Sequence, residues 1–502
     1  MKTFARSVAL ITVFAVITRT IGFVFRIFLS RILGAEMLGV YQIAMAFFMV
    51  FMTIIASGLP LAISKQVATG QKRGVVAAGL IISLTASTII CLLVLAGNRL
   101  LGTLFTDTRC VALLIALIPS VFAISVYTVI RAVWWGEKRF FLLGATELME
   151  QILRVVVFAL MLAFAFLFVD VSQIAALSFT AAFVIAAVVC VVIHINLQKG
   201  YNNRSPFLKG GGMAQAMTGV LKSAAPITGV RLVASLTMPV ISILIPMRLI
   251  AAGWSPAAAV AGFGVLVGMT LPLLTIPQTV ISSLSTALVP ELSSAHNQQN
   301  RESVTRQIQT SLKFTLFITF LLLPAFIALG DGIGTFLYAD ATSGIFLAKY
   351  AWAMVPMSLS QITNAILNSL NAEARAMKHY MIGSAALFAA IWFLPAVMGI
   401  GALVIGMGAC MSIASVLNLL LIAKLTKGKV ALSVMTQCAV FALISAPAIL
   451  AGIFVYGIVQ HAFPLFFTLA ISGATATGAF LVLCHLFNVV TFNSIRATVS
   501  AK

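Results

Sequence analysis

Apolar runs of about twenty residues, separated by short polar breaks, recur along the whole chain. Each run is long enough to cross a bilayer as a helix, because a hydrocarbon core of about 30 Å needs about 20 residues. Setting the runs against the breaks predicts about fourteen spans, centred roughly on residues 20, 50, 86, 121, 158, 184, 235, 272, 319, 359, 390, 412, 446 and 476. Lys2 and Arg6 ahead of the first run resemble the start of a signal peptide. That run is long, carries two arginines and lacks a small-residue cleavage site, so it reads as a retained span.

Loop charges test the count. With the N-terminus in the cytoplasm, alternate loops place 21 Lys and Arg on the cytoplasmic side and 5 outside, with the other 5 of the 31 inside spans. One miscounted span would destroy that asymmetry, so it supports an even number of spans with both termini cytoplasmic. Composition agrees: 62% hydrophobic and 8% charged residues describe an integral membrane protein. The formal net charge of +20 is spread singly between apolar segments, with no basic tail, which excludes a nucleic-acid-binding role. The six cysteines form no CxxC pair and read as free thiols, with no metal site or disulfide framework.

The chain also repeats itself. "SGLPLAISKQVA" (57–68) ends span two and "TALVPELSSAHN" (286–297) ends span eight. "VIRAVWWGEKRFFLLG" (129–144) links spans four and five; "AILNSLNAEARAMKHYMIG" (365–383) links ten and eleven. An offset of six spans gives the halves the same topology, related by a pseudo-twofold along the membrane normal. The expected organisation is an all-α integral membrane protein. It has an N-terminal lobe over 1–200, a basic linker over 201–217, a C-terminal lobe over 218–428 and two further helices over 429–502. The two lobes are expected to face each other across a central cavity.

Against this background the candidate chemistry is whatever is polar where lipid is expected. Arg19 falls near mid-membrane and Arg26, seven residues on, shares its helical face; Arg231 sits in span seven. A buried arginine costs at least about 2.5–3.5 kcal/mol at a helix centre, so these three are expected to face a partner or a watery cavity. Arg31 and Arg131, nearer helix ends, are expected to reach the headgroups. Glu147, Glu150 and Arg154 share one face of span five, either as an internal ion pair or as a coupling or gating site. Gln361, Asn364, Asn368 and Asn371 form an amide stripe on span ten, suited to sugar hydroxyls or to knitting helices together. Gln42 and Gln278 are further polar candidates, and Pro239, Pro246, Pro272 and Pro277 are expected to bend spans seven and eight. The five histidines are scattered and no HExxH, GxSxG or Walker motif occurs, which argues against an enzyme and implies no cofactor.

"ITRTIGFVFRIFLSRILGAEMLGVYQIA", then "SGLPLAISKQVA", "RAVWWGEKRF", "ELMEQILRVV" and "LPLLTIPQTVISSLSTALVPELS", in this order, resemble the stage V sporulation protein B family. That family is a branch of the polysaccharide-export flippases in the multidrug/oligosaccharidyl-lipid/polysaccharide exporter superfamily. The resemblance implies fourteen helices, two six-helix lobes and two additional helices. In related lipid II flippases, first-helix arginines line a cationic cavity for a lipid-linked diphosphate. Arg19 in "RTIGF" matches the first such position; Arg26 is one residue out of register with it but suits the sporulation-protein branch. Drug–cation antiporters of the superfamily use intramembrane carboxylates, and the first span has none.

The resemblance implies a monomeric flippase of the bacterial inner membrane, moving lipid II outward by alternating access. Arg19, Arg26 and Arg231 would bind the diphosphate, and Gln42, Gln278, Asn364 and Asn368 the sugars. Cell-wall synthesis machinery is a further partner class. A flippase for another undecaprenyl-diphosphate-linked glycan, such as capsule or teichoic acid units, or a cation-coupled drug antiporter, are the alternatives.

Overall fold

The computed structural model describes residues 2–69, 74–165, 170–199, 211–426 and 430–487. Among these the secondary structure is helical throughout. Twenty α-helices follow in order: α1 (Lys2–Ala56), α2 (Gly58–Ala68), α3 (Val75–Ala96), α4 (Asn98–Leu104), α5 (Arg109–Gly136), α6 (Phe140–Ala165) and α7 (Val171–Lys199). Next come α8 (Gly211–Ser235), α9 (Thr237–Ala251), α10 (Pro256–Phe263), α11 (Leu271–Leu274), α12 (Ile276–Asn297), α13 (Arg301–Tyr338) and α14 (Ala341–Tyr350). The chain closes with α15 (Met354–Ser369), α16 (Glu373–Phe393), α17 (Pro395–Met398), α18 (Gly401–Thr426), α19 (Val430–Val459) and α20 (Leu465–Leu486). Grouped across their kinks, these helices make fourteen successive segments, the number expected from hydropathy. Ten stretches among the described residues are long and apolar enough to cross a membrane on that ground alone.

The kinks have local causes. α1 holds the first two spans and turns at Gly34, whose φ of 68° and ψ of 176° suit glycine and strain other residues. The loop expected there thus shrinks to one residue. Arg109, at the start of α5, braces this corner. Its Nε donates to both carboxylate oxygens of Asp107 (3.1 and 3.0 Å), and its Nη2 pairs with Glu36. Span seven breaks near one of its predicted prolines, α8 giving way to α9 at Leu236, three residues before Pro239, while α9 runs unbroken through Pro246. A π-helical turn over Gly264–Thr270 precedes Pro272 and Pro277.

The chain divides into two compact units. The first is Met1–Met247 with Ser255–Gly264; the second is Arg248–Trp254 with Val265–Lys502. In the first, α5 packs on α7, α1 on α5 and α6, and α8 on α1, α2 and α3. Lipid tails are as apolar as leucine, so close packing rather than burial from water holds such helices together. The buried cluster of Leu59, Ile63, Val67, Val75, Val129, Val133, Val220 and Ala224 shows why α8 joins this unit: it completes the layer made by α2, α3 and α5. The boundary therefore falls at Met247, within α9, and not at the basic linker 201–217, most of which lies outside the described residues.

In the second unit α16 packs on α18, α12 and α13 on α15, and α19 with α20 on α13. The two helices expected as an appendage over 429–502 are thus built into this unit through Phe317, Phe320, Phe441 and Phe480.

Candidate functional site

Each unit carries one polar system. In the first, the acidic residues of α6 are taken up by arginines. Arg154 Nε donates to Glu150 Oε1 at 3.1 Å, one helical turn away, and its guanidinium lies 4.5 Å from the Phe179 ring centre on α7. Glu147 shares that helical face but pairs elsewhere. Its Oε2 accepts from Arg131 Nη2 of α5 at 2.9 Å, and the same nitrogen reaches the Leu143 carbonyl at 3.0 Å. Arg131 therefore does not reach for headgroups. Its side chain is 21% exposed, its guanidinium lies 4.9 Å from the Tyr127 ring centre, and its Nε is enclosed without a partner. A cross-helix carboxylate outcompetes the headgroups because the ion pair forms with the side chain already packed.

Arg19, Arg26 and Arg231, like Arg99 on α4, have no carboxylate within ion-pair distance among the described residues. Arg19 and Arg26 on α1 are exposed. Between them Gly22 faces Gln151 of α6, where an added Cβ would lie 3.4 Å from Nε2, so α1 and α6 meet at this turn. Arg26 and Arg154 both lie within electrostatic reach of the buried Tyr41 hydroxyl. Arg231 on α8 is also exposed; its Nη1 donates only a long 3.5 Å bond to the Ser57 carbonyl, where α1 ends. That approach depends on Gly58: an added Cβ there would fall 2.3 Å from the Ala224 carbonyl oxygen of α8. The three cations predicted from the sequence thus belong to one unit, with Arg231 in the first unit rather than in the expected C-terminal lobe. Gln42, on the second arm of α1, is half-buried.

The second unit holds the amides. Gln361 Nε2 donates to the Gln278 backbone carbonyl at 3.2 Å, tying α15 to α12. Asn364 Oδ1 accepts from Asn418 Nδ2 of α18 at 2.9 Å, and Asn418 Oδ1 lies 2.8 Å from His379 Nδ1 of α16. Asn368, one helical turn from Asn364, is exposed. Asn371 ends the stripe, because it sits in the turn after α15 with a φ of 54°. Asn418 and His379 were not foreseen. Neither belongs to a polar stripe of the kind seen on α15, and what joins them to Asn364 is contact between helices distant in sequence. Among the described residues no three His, Cys, Asp or Glu side chains are grouped to hold a metal ion, and the six cysteines are free.

Among the described residues, an all-helical fold with ten stretches long and apolar enough to cross a membrane defines a multi-pass membrane protein. The chain belongs to the polysaccharide biosynthesis protein family, whose sequence profile matches residues 4–296. It is 26% identical over 395 residues to the stage V sporulation protein B of Bacillus subtilis (strain 168), covering 76% of each chain. The fold is shared with the lipid II flippase MurJ in an inward closed conformation (TM-score 0.66, 15% identity, 96% of this chain and 99% of that one). It is shared too with a multidrug resistance MATE family transporter of the MOP superfamily in an inward-facing conformation (TM-score 0.65, 16% identity, 82% and 94%).

Proposed function

We propose that the protein is a lipid-linked glycan flippase of the bacterial inner membrane, with both termini cytoplasmic. It carries an undecaprenyl-diphosphate-linked saccharide, lipid II in the first instance, from the inner to the outer leaflet. The observation that carries this reading is the set of arginines in the first unit, Arg19, Arg26 and Arg231, that have no carboxylate partner among the described residues. Two carboxylates of α6 are already bound to Arg131 and Arg154. The surplus is cationic, and a diphosphate is the ligand whose charge and acceptor geometry match it. Charge-assisted bonds from guanidinium to phosphate oxygens are strong and suit bidentate contact. The relatedness to stage V sporulation protein B and the fold shared with MurJ support the same reading.

In this reading Arg19, Arg26 and Arg231 bind the diphosphate, Asn364 and Asn368 meet the saccharide, and Gln42 and Gln278 are weaker contributors to it. Access to the bound headgroup alternates between the leaflets. Glu147, Glu150 and Arg154 act in this reading first as ion pairs within the first unit, with coupling or gating as their alternative role. A drug antiporter would need a carboxylate free to exchange a cation, and these two are engaged.

Arg19→Ala is expected to abolish rescue of a flippase-depleted strain, and transport of labelled lipid II in proteoliposomes, with normal accumulation of the protein. Full rescue by this variant would overturn the assignment. Competition by capsule and teichoic acid precursors in the same vesicles identifies the preferred glycan.

A further inference from the structure

Asn418 is fully buried on α18 and stands at the centre of a directed chain of hydrogen bonds across three helices. Its Nδ2 donates to Asn364 Oδ1 at 2.9 Å and to Thr363 Oγ1 at 3.2 Å, both on α15. The Thr363 hydroxyl spends its own proton on the Leu359 carbonyl at 2.7 Å, so towards Asn418 it can only accept. An amide nitrogen has two protons, and both are therefore committed; the side chain cannot turn over without losing both bonds. Asn418 Oδ1 is then an acceptor, and its partner, His379 Nδ1 at 2.8 Å, must carry the proton.

The consequence falls on Asn364. With its Oδ1 committed to Asn418, its Nδ2 is turned the other way. Among the described residues that nitrogen has no hydrogen-bond partner, and Asn364 is only half-buried. A flexible asparagine would present donor and acceptor interchangeably. This one presents a fixed pair of N–H donors, with its entropy of orientation already lost. Asn364, His379 and Asn418 lie one to two turns from the ends of α15, α16 and α18, in one layer of the unit.

We propose that His379 and Asn418 are positioning residues that fix the Asn364 amide for a saccharide hydroxyl, so that the protein distinguishes a glycan-bearing polyprenyl diphosphate from the bare polyprenyl diphosphate. This rests on the flippase reading above, in which the arginines hold the diphosphate common to both lipids. A fixed neutral donor adds discrimination where the arginines offer none, since a site built to bond a hydroxyl disfavours the ligand that lacks one.

The test uses the full chain in proteoliposomes, with two fluorescent probes: a polyprenyl diphosphate carrying a disaccharide and the same lipid without sugar. Initial rates against lipid fraction separate apparent KM from maximal rate. Asn364→Leu and His379→Leu are each expected to raise the apparent KM for the glycan lipid about tenfold, the worth of one hydrogen bond, and His379→Leu is expected to leave the maximal rate and the sugarless lipid unchanged. The double variant is expected to be no worse than either single one, because both remove the same contact. His379→Asn keeps a donor where Nδ1 stands and is expected to behave as wild type, whereas His379→Gln is not.

The inference is overturned if His379→Leu leaves the glycan lipid unaffected, if the two leucine effects multiply, or if His379→Asn is as defective as His379→Leu. Loss of transport of both lipids in His379→Asn would assign the histidine a proton-carrying role instead. If a leucine variant fails to accumulate, the Asn and Gln variants at 379 decide alone. A wild-type protein that moves neither lipid overturns the flippase reading and this inference with it; one that moves both equally well overturns this inference alone.

Discussion

Gly58→Ala should loosen the first unit by an amount that follows from one distance. Gly58 opens α2 where α8 crosses it, and a methyl group there would lie 2.3 Å from the Ala224 carbonyl oxygen and 2.5 Å from Thr228 Oγ1. Ordinary contact begins at 3.4 Å. Thr228 can rotate away, but a helix carbonyl cannot, so α8 must retreat by roughly 1 Å along its length. Overpacking of this kind costs about 1–3 kcal/mol. At about 2–4 °C per kcal/mol for a body of this size, the apparent Tm should fall by roughly 2–12 °C. The retreat also breaks the 3.5 Å bond from Arg231 to the Ser57 carbonyl.

The assay is thermal unfolding in detergent at a fixed scan rate, because unfolding of such a protein is read as a rate as much as an equilibrium. Gly219→Ala is the matched control. It lies on α8 too, but its added methyl meets only the end of the Gln66 side chain at 3.4 Å. There the variant should be neutral or gain about 0.5–1 kcal/mol from helix propensity. An unchanged Tm for Gly58→Ala, or an equal fall for Gly219→Ala, would refute the packing argument.

The two glutamates of α6 should respond unequally. Glu150 is 8% exposed, so Glu150→Gln strands Arg154 in a packed site and should cost about 3–5 kcal/mol, seen as a large fall in Tm. Glu147 is 53% exposed, and Glu147→Gln should cost about 1 kcal/mol or less; equal losses would contradict the burial difference. At the Gly34 corner, partial burial raises the Asp107 carboxyl, but the hydrogen bonds and charge of Arg109 outweigh it and hold it below its ordinary value of 3.8. A carboxyl depressed in the folded state adds stability that is complete above 3.8 and is lost as pH falls through the folded value. The Tm of Asp107→Asn should therefore decline less steeply below about pH 4 than that of the wild type. An identical acid slope would remove Arg109 as the cause.

Hydropathy and loop charge carried the number of segments, because span length and the exclusion of charge from lipid are set by the bilayer and act on each segment by itself. Arg19, Arg26 and Arg231 were legible for the same reason: a cation in an apolar run is conspicuous whatever surrounds it. The assignment of α8 was not legible. It depends on Val220 and Ala224 fitting the layer of Leu59, Ile63 and Val133, a match of shapes between helices that no periodicity records. Arg131 was misread because its partner Glu147 lies on the next helix, 16 residues on, while depth alone suggested the headgroups. The amide stripe was visible as spacing. Its orientation was not, since that is decided by Asn418 and His379 on two other helices.

The corner at Gly34 has a mechanical consequence. A join one residue wide, clamped by Arg109, offers a pivot but no slack. Arg26 lies 8 residues and Arg19 15 residues before it, roughly 12 and 22 Å along the helix. A swing of the first arm by about 10° would carry Arg26 by about 2 Å and Arg19 by about 4 Å. The arm has the proportions of a lever: any rotation at the corner displaces Arg19 about twice as far as Arg26.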